Sequence, residues 1–406
     1  DLHLCDRRQR QMCIRDSSGI WMVSGIVPTL IFYGVQIINP DFFLFSSCII
    51  CCIVSVMTGS SWTTIATIGI ALLGIGKAQG FSDGWIAGAI ISGAYFGDKL
   101  SPLSDTTVLA SSLSGTPLFT HIRYMLITTI PSLLISLIVF LLFGFQHHNV
   151  TESLDISLFM QVLDDKFNIS LWLLVVPVVT AIMIAKKIPS NIVLFLSVLI
   201  AAIFAMFFQS DILLEISGKT NVNFFSMFEG TMKSIYGSTS IETHNDMVNS
   251  LLVTRGMEGM LNTIWLIICA VCFGSCMTSS GMLDYISAVL IRFTHTRVGL
   301  VFSTVVFGMF CNCIMADQYL SIILTSNIFK GIYKNRGFEN RLLSRSIEDS
   351  STVTSPLIPW STCGMTQASI LNIPTITYLP YCVFNLVSPL MSVFISIIGF
   401  KIYKRK

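Results

Sequence analysis

Charged residues are scarce in this chain, and their scarcity excludes a water-soluble protein of ordinary composition. Only 11% of the 406 residues are Asp, Glu, Lys or Arg, whereas 53% are hydrophobic. Apolar runs of about 20 residues, the length at which a helix spans a bilayer, recur along most of the chain. The sequence therefore predicts an all-α, polytopic membrane protein.

A basic domain is also missing, which excludes a nucleic-acid partner. The formal net charge is only +2, and the Lys and Arg residues gather in short clusters between apolar segments. The Cys residues offer no zinc site either, because most of them lie inside apolar segments, where Cys behaves as a small hydrophobe. Cys269 and Cys272 have neither a His nor a second close pair beside them. We expect no cofactor.

Residues 1–17 lack an initiator Met, the basic, apolar and small segments of a signal peptide, and any helical periodicity. We expect them to be a non-native segment. On that expectation the native chain is entered near Ser18, with at least one upstream helix missing. Farther along, the longest polar stretch covers residues 210–260, and amphipathic residues Phe224–Tyr236 predict an interfacial helix within it.

The chain does contain an internal repeat. A shift of 254 residues places Ser101-Pro102-Leu103 on Ser355-Pro356-Leu357, and the same shift brings residues 59–72 onto 313–326. One offset thus serves two polar interruptions of the apolar pattern. The predicted organisation is a first repeat over 18–145, connecting helices and an external loop over 146–260, and a second repeat over 261–406.

The positions of Lys and Arg predict that the two repeats have inverted topology. The turns at 292–297 and 330–345 and the tail at 401–406 are basic, and hence cytoplasmic by the positive-inside rule, whereas the matching turns of the first half have few bases. The C-terminus is therefore predicted to be cytoplasmic. Inverted repeats whose broken or re-entrant helices meet near the midplane are typical of secondary transporters.

The most informative interruption is residues 92–107, which read SGAYFGDKLSPLSDTT. Ionised groups at bilayer depth are costly, so they persist where they face a protein interior or a water-filled cavity. Pro102 cannot donate the next helical hydrogen bond, which leaves backbone carbonyl groups available to a ligand. The stretch predicts half of an ion-binding site, with Pro102 and Pro356 as the helix breaks of the two halves.

The predicted site binds sodium and protons through acids at membrane depth and the hydroxyl groups near them, since carboxylate, hydroxyl and carbonyl oxygens suit a hard cation. The alternative is that these Ser, Thr and Asp residues only cap helix ends. The candidate ligands are Asp98, Asp105, Asp317, Asp349, Ser61, Thr63, Thr64, Ser101, Thr106, Thr107, Ser350, Thr352 and Ser355.

Other ionisable residues near these motifs are expected to have peripheral or structural roles. Lys99 is expected to form an ion pair with its neighbour Asp98. Glu348 is expected at the cytoplasmic edge, and His121 and Arg123 at a cytoplasmic rim.

Three long stretches point to a known family. They read GSSWTTIATIGIALLGIG, SGAYFGDKLSPLSDTT with LFTHIRYML after it, and ADQYLSIIL followed by SRSIEDSSTVTSPLIPWSTCG. In these residues the chain resembles the NhaC family of sodium/proton antiporters, and the resemblance extends over residues 18–402. It implies a multi-pass protein of the bacterial inner membrane that exchanges internal sodium for external protons and is not an enzyme.

Two other functions stay open. The first is a sodium- or proton-coupled exchanger of small organic anions of the malate/lactate type, or of amino acids; the resembled family includes malate/lactate exchangers. A substrate-binding Arg at membrane depth would favour it, and the polar interruptions show none. The second is an intramembrane aspartyl protease, suggested by Gly97-Asp98 and a distant second Asp, but its companion motifs are missing. The expected partners are sodium ions, protons and the lipid bilayer, and a homodimer is left open.

Overall fold

The computed structural model describes a chain built of helices. It covers residues 19–147, 153–186, 188, 190–219, 221, 223–243, 248–249, 252–253, 261–292 and 294–402. Within these ranges the regular elements are all helical, which confirms the all-α prediction. Four of the described helices are long and apolar enough to cross a membrane, or up to seven if each strongly bent pair is one span. The protein is therefore polytopic, and the predicted non-native segment 1–17 lies outside the described residues.

The first half consists of seven helices after a short helical stretch at residues 19–23. They are α1 (Ile26–Ile37), α2 (Phe43–Thr58), α3 (Ser61–Thr64), α4 (Ile70–Ala78), α5 (Asp83–Leu100), α6 (Asp105–Ser114) and α7 (Leu118–His147). A π-helical turn, Ile65–Gly69, joins α3 to α4. Helix α2 ends at Gly59 and α6 at Gly115, both with the positive φ that a glycine adopts without strain.

The connecting region folds into helices that bend sharply. They are α8 (Ser153–Lys166), α9 (Val175–Ala185), α10 (Ser190–Phe208), α11 (Ser210–Ser217) and α12 (Phe224–Tyr236). Helices α8 and α9 meet at 91°, and α10 and α11 at 99°. The predicted amphipathic helix forms as α12, with Phe224, Phe228 and Met232 exposed on one face and Gly230 packed on the opposite side.

The described part of the second half contains eight helices and three short irregular turns, the last of which is the 3₁₀ turn Leu379–Tyr381. The helices are α13 (Leu261–Ser279), α14 (Met282–Ile291), α15 (Arg297–Met315), α16 (Gln318–Asn335), α17 (Asn340–Ile347), α18 (Thr362–Leu371), α19 (Thr375–Tyr378) and α20 (Val383–Ile398). A π-helical turn, Glu348–Thr352, continues α17, and the 3₁₀ turn Ser355–Leu357 follows it. The chain then turns into α18.

Helix boundaries in the two halves recur with a constant separation of 257 residues. The matched boundary residues are Asn39 and Thr296, Gly59 and Ala316, Ser60 and Asp317, Ser82 and Glu339, Ser104 and Ser361, and Gly115 and Asn372. Most are N-caps, and the pairs ending α2/α15 and α6/α18 are both left-handed. The two halves therefore share one scaffold.

This separation corrects the register expected from the sequence. In the turn after α5 the Ser104 N–H donates to the Ser101 carbonyl, and in its counterpart the Ser361 N–H donates to the Ile358 carbonyl. Pro102 therefore corresponds to Pro359. The predicted pairing of Pro102 with Pro356 is wrong, because Pro356 belongs to the 3₁₀ turn Ser355–Leu357, which corresponds to the last residues of α5, 98–100. Both Pro102 and Pro356 nevertheless lie at helix breaks.

The short helix that follows the break in each half packs against the other half. Helix α6 of the first half packs against α16 of the second, and α18 of the second half packs against α3, α4 and the π-helical turn between them. The long helices α7 and α20 pack directly on each other. Reciprocal contacts of this kind are what a twofold relation between two halves generates.

Helices α2 and α5 approach closely because α5 presents glycines to α2. A Cβ atom on Gly93 would lie 2.3 Å from the Cys48 carbonyl oxygen, and one on Gly97 would lie 2.4 Å from the Ser55 Cβ. The Ser55 hydroxyl also donates to the Ala94 carbonyl at 2.5 Å. Small residues and interhelical hydrogen bonds are the main means by which membrane helices associate. This contact fixes the end of α5, where Asp98 lies.

We expect Gly93→Leu to destabilise the protein by about 3 kcal/mol or to prevent folding, because the backbone of α2 leaves no room for a side chain. The matched control is Gly331→Leu in α16, where nothing lies within 4 Å of an added Cβ. Thermal unfolding in detergent measures both variants. Equal melting temperatures would contradict the proposed close packing.

Candidate functional site

Three helix ends meet around Asp98. Its carboxylate is only 5% exposed and accepts two hydroxyl hydrogen bonds. Ser61, the first residue of α3, donates to Oδ2 at 2.7 Å, and Ser104, the N-cap residue of α6, donates to Oδ1 at 2.7 Å. The interruptions of the helices at Ser60 and at Ser101–Ser104 make this possible, because in a continuous helix these hydroxyl groups would not face Asp98.

The other first-half candidates surround this carboxylate in unequal roles. The Thr106 hydroxyl lies 3.0 Å from that of Ser104, so it belongs to the same oxygen cluster. The hydroxyls of Thr107, Ser101 and Thr64 instead donate to backbone carbonyl groups, those of Asp98 and Lys99 in the case of Thr107. The buried Thr63 hydroxyl has no hydrogen-bond partner.

Asp105 and Asp317 lie outside the group of side chains that donate hydrogen bonds to Asp98. Asp105 is exposed in the first turn of α6, although its charge is within electrostatic range of Asp98. Asp317 is the N-cap of α16, and its Oδ1 accepts from the N–H groups of Tyr319 and Leu320, both at 3.0 Å. The capping alternative therefore accounts for the geometry of Asp317.

A buried ion pair joins the two halves. Lys99 and Asp349 are both 0% exposed, and the Lys99 ammonium donates directly to Asp349 Oδ1. The same carboxylate oxygen accepts from the Ser388 hydroxyl at 3.0 Å and from the Thr128 hydroxyl at 3.2 Å. The pair thus lies where α7 and α20 meet.

The prediction that Lys99 pairs with Asp98 is wrong. Neighbouring residues on a helix point in different directions and do not face each other. Asp98 therefore faces the turn before α6, whereas Lys99 faces the second half. The partner of Lys99 lies 250 residues away in the sequence.

The second-half candidates Ser350 and Thr352 follow Asp349 in the π-helical turn, and Ser355 begins the 3₁₀ turn after it. Ser350 donates to the Ser346 carbonyl at 2.8 Å, so its hydroxyl is occupied within its own helix. Thr352 is buried and has no hydrogen bond of normal geometry, and Ser355 lies beside Cys363. π-helical turns are rare and occur frequently at functional sites.

Three ionisable residues that the sequence placed at an edge, or did not consider, are completely or almost completely buried here. Glu348 is fully buried, in range of the charges of Asp98, Lys99 and Asp349. His121 is also buried, and its Nδ1 lies 2.8 Å from the Ser344 hydroxyl. The expected edge position of Glu348 and rim position of His121 are therefore wrong, whereas Arg123 is exposed.

Arg345 is the third buried residue, and the sequence reasoning missed it. It is fully buried, its three guanidinium nitrogens have no hydrogen-bond partner, and its guanidinium carbon lies 4.8 Å from the ring centre of Tyr124. The available signal was spacing: positions 345, 348 and 349 are three and four residues apart and so share one helix face. The polar interruptions were expected to contain no substrate-binding Arg, yet Arg345 is buried beside the second one.

A cation at this site would be bound mostly by neutral oxygens. Among the residues described, no group of three or more His, Cys, Asp or Glu side chains is positioned to hold a metal ion. One carboxylate with hydroxyl and carbonyl oxygens suits a hard, weakly held alkali ion better than a transition metal.

Broken helices that meet around buried charges in a polytopic protein are the build of ion-coupled secondary transporters. Comparison with known proteins gives the family. A family model described as the Na+/H+ antiporter family matches residues 93–400. Together with the relatives below, this shows that the chain belongs to the Na+/H+ antiporter family.

The relatives are antiporters with different printed substrates. The chain is 37% identical to the Na(+)/H(+) antiporter NhaC of Alkalihalophilus pseudofirmus, over 95% of this chain and 80% of the relative. It is 38% identical to the malate-2H(+)/Na(+)-lactate antiporter of Bacillus subtilis, over 89% and 75%. It is 31% identical to the arginine/ornithine antiporter ArcD of Halobacterium salinarum, over 95% and 77%.

We expect Lys99→Met and Asp349→Asn each to destabilise the protein by about 3–5 kcal/mol, because each leaves the other charge buried without its partner. The double variant Lys99→Met/Asp349→Leu should recover most of that loss, since it removes both charges. Thermal unfolding of detergent-solubilised protein measures all three variants.

The matched control is the ion pair between Lys166 and Glu215, which are 2.8 Å apart and whose side chains are 28% and 45% exposed. Lys166→Met should change the stability by less than about 1 kcal/mol. A Lys99→Met effect as small as that of Lys166→Met would show that the buried pair is not a structural link between the halves.

Proposed function

We propose that the protein exchanges sodium for protons across the plasma membrane, the inner membrane of a bacterium, with Asp98 as the shared binding residue. The observation that supports this most strongly is the buried Asp98 carboxylate, held by the Ser61 and Ser104 hydroxyls at a crossing of helix breaks. The family membership supports the same function.

Exchange follows from competition for one carboxylate. An ionised Asp98 binds a sodium ion together with hydroxyl oxygens of Ser61, Ser104 and Thr106, because a hydroxyl group offers lone pairs as well as a proton. Protonation of Asp98 removes the negative charge that holds the cation. The site therefore holds either a proton or sodium, and movement of the loaded site between the two sides of the membrane gives antiport.

Asp349 has a different role in this proposal. Lys99 already neutralises its carboxylate, and Thr128 and Ser388 occupy the same oxygen. Its Oδ2 has no hydrogen-bond partner, but the charge of the carboxylate is already balanced by Lys99, so a sodium ion is attracted less strongly there than to Asp98. We therefore assign Asp349 the role of pairing with Lys99. Ser350, Thr352 and Ser355 are assigned to the structure of the second half and not to direct coordination of sodium.

The orientation belongs to the same proposal. The 257-residue repeat of helix boundaries and the basic turns of the second half support inverted halves with a cytoplasmic C-terminus. In a variant without native Cys, Gln146→Cys at the end of α7 should react with an impermeant thiol reagent from outside. Lys334→Cys should react only after permeabilisation, and labelling of both residues from one side would contradict inversion.

One observation favours an exchanger of organic anions as a second candidate. Arg345 is a buried guanidinium without a hydrogen-bond acceptor, as a carboxylate-binding residue would be. Everted vesicles separate the candidates: a sodium gradient should drive proton movement, whereas malate or lactate gradients alone should not. Proton movement that requires an organic acid would support the second candidate.

We expect Asp98→Asn to abolish sodium-driven proton flux in everted vesicles without preventing insertion, because an amide offers an oxygen but cannot exchange a proton. Asp317→Asn is the matched control, since Asn is an equally good N-cap and the residue lies outside the Asp98 shell. In the unmodified protein the sodium concentration for half-maximal flux should rise about tenfold per pH unit at low pH for each shared proton. An active Asp98→Asn variant would refute the assignment of Asp98.

A further inference from the structure

One face of α6 is exposed along the whole length of the helix. Asp105, Val108, Ser112 and Gly115 are exposed, and their spacing of three, four and three residues places them on one side of the helix. Val108 is 44% exposed, whereas Ala110 on the opposite side is 0% exposed. The exposed face therefore runs from the first turn of α6 to the glycine that ends it.

This face begins at the candidate sodium site. Ser104 precedes Asp105 in the chain and donates its hydroxyl to Asp98 Oδ1 at 2.7 Å, and Thr106 belongs to the same oxygen cluster. The charge of Asp105 is within electrostatic range of Asp98. Asp105 therefore adjoins, along the chain, the hydroxyl groups that surround the binding carboxylate.

The other end of the face lies at a basic turn of the second half. The Lys330 ammonium donates to the Leu113 carbonyl at 2.6 Å, and a Cβ atom on Gly115 would lie 3.4 Å from the side-chain amide of Asn340. Lys330 and Asn340 belong to the region 330–345, which the positive-inside rule places in the cytoplasm. In the proposed orientation, α6 thus leads from the sodium site to the cytoplasmic surface.

Water fits the exposed face of α6 better than lipid does. An ionised carboxylate at bilayer depth persists where it faces protein or a water-filled cavity, because contact with lipid is costly. Asp105 is exposed on this face, and Ser112 adds a second polar side chain to it. The face therefore has the composition of the wall of a water-filled passage.

The corresponding face of α18 in the second half is less exposed. At the 257-residue separation, Asp105 corresponds to Thr362 and Val108 to Met365. Thr362 is only 6% exposed, and its N–H donates to the Ala316 carbonyl at 2.7 Å, while Met365 is half-buried. Alternating access requires a site that opens to one side at a time. The difference between the two faces fits a site that is open on the side of α6.

We propose that sodium ions reach Asp98 from the cytoplasm along the exposed face of α6, and that Asp105 attracts them into this passage without becoming a final ligand. The proposal rests on the proposed sodium/proton exchange and names the route to its site. A negative charge in a cleft with low-dielectric walls raises the local concentration of cations, and salt weakens this effect. Asp105 is therefore a positioning residue that sets the apparent affinity for sodium.

The first test separates affinity from maximal flux. In everted vesicles, whose cytoplasmic face is outside, Asp105→Asn should raise the sodium concentration for half-maximal proton flux about threefold to tenfold at low ionic strength, with the maximal flux retained. Added choline chloride should reduce this difference, and Asp105→Glu should restore the normal affinity.

The matched control is Asp83→Asn, which removes another exposed acid from the first turn of a helix, α5, and should leave the affinity for sodium unchanged. An unchanged affinity in Asp105→Asn, or a complete loss of maximal flux in the folded variant, overturns the role of Asp105. Absence of sodium-driven flux in the unmodified protein would instead refute the proposed function, so the two failures are distinguishable.

The second test concerns the passage itself and does not depend on transport. With the native Cys residues replaced, Val108→Cys and Ser112→Cys should react with an impermeant thiol reagent added to everted vesicles. Ala110→Cys, on the buried side of the same helix, should react at least about tenfold more slowly. Equal rates for Val108→Cys and Ala110→Cys would overturn the passage, because the face would then adjoin lipid or protein.

Discussion

The pairing of Lys99 with Asp349 inside the protein is the interaction on which the rest of this structure depends. A lone charge inside a protein that is itself inside a bilayer costs several kcal/mol, and a buried pair is tolerated only with good geometry and further hydrogen bonds. The Lys99–Asp349 pair meets that condition through Ser388 and Thr128. Because Lys99 comes from one half and Asp349 from the other, neutrality is reached only when the halves are assembled.

The broken helices follow from the same constraint. Polar groups at depth must be satisfied by the protein, and irregular backbone at membrane depth is tolerated where it is buried in protein or lines a cavity. The turn before α6 is packed against the end of α2, where the Ser101 hydroxyl donates to the Val56 carbonyl. At the matching position of the second half, the Trp360 indole donates to the Cys313 carbonyl. Different side chains thus satisfy the same free carbonyl group in each half.

The sequence was sufficient for features that depend on local spacing. Apolar run lengths predicted the helical fold, and the cluster of Asp98, Ser101 and Ser104 around Pro102 predicted a polar helix break. The sequence was insufficient for contacts between residues that are far apart along the chain. The pairing of Lys99 with Asp349 depends on how two halves assemble, and the burial of Arg345 depends on α16 and α7 packing around α17. The predicted repeat register was wrong because the match of Ser101-Pro102 with Ser355-Pro356 is three residues out of register, in a 3₁₀ turn that corresponds to the end of α5.

The scaffold is repeated but its charges are not. At the 257-residue separation, Asp98 corresponds to Ser355, Lys99 to Pro356 and Asp317 to Ser60, so neither half repeats the ionisable groups of the other. A repeated scaffold provides two similar arrangements of helices, which is what alternating access requires. A repeated set of acids would instead provide two sites, each with its own uncompensated charge. The ion pair between Lys99 and Asp349 therefore forms only where the two halves meet, although the halves share the spacing of their helix boundaries.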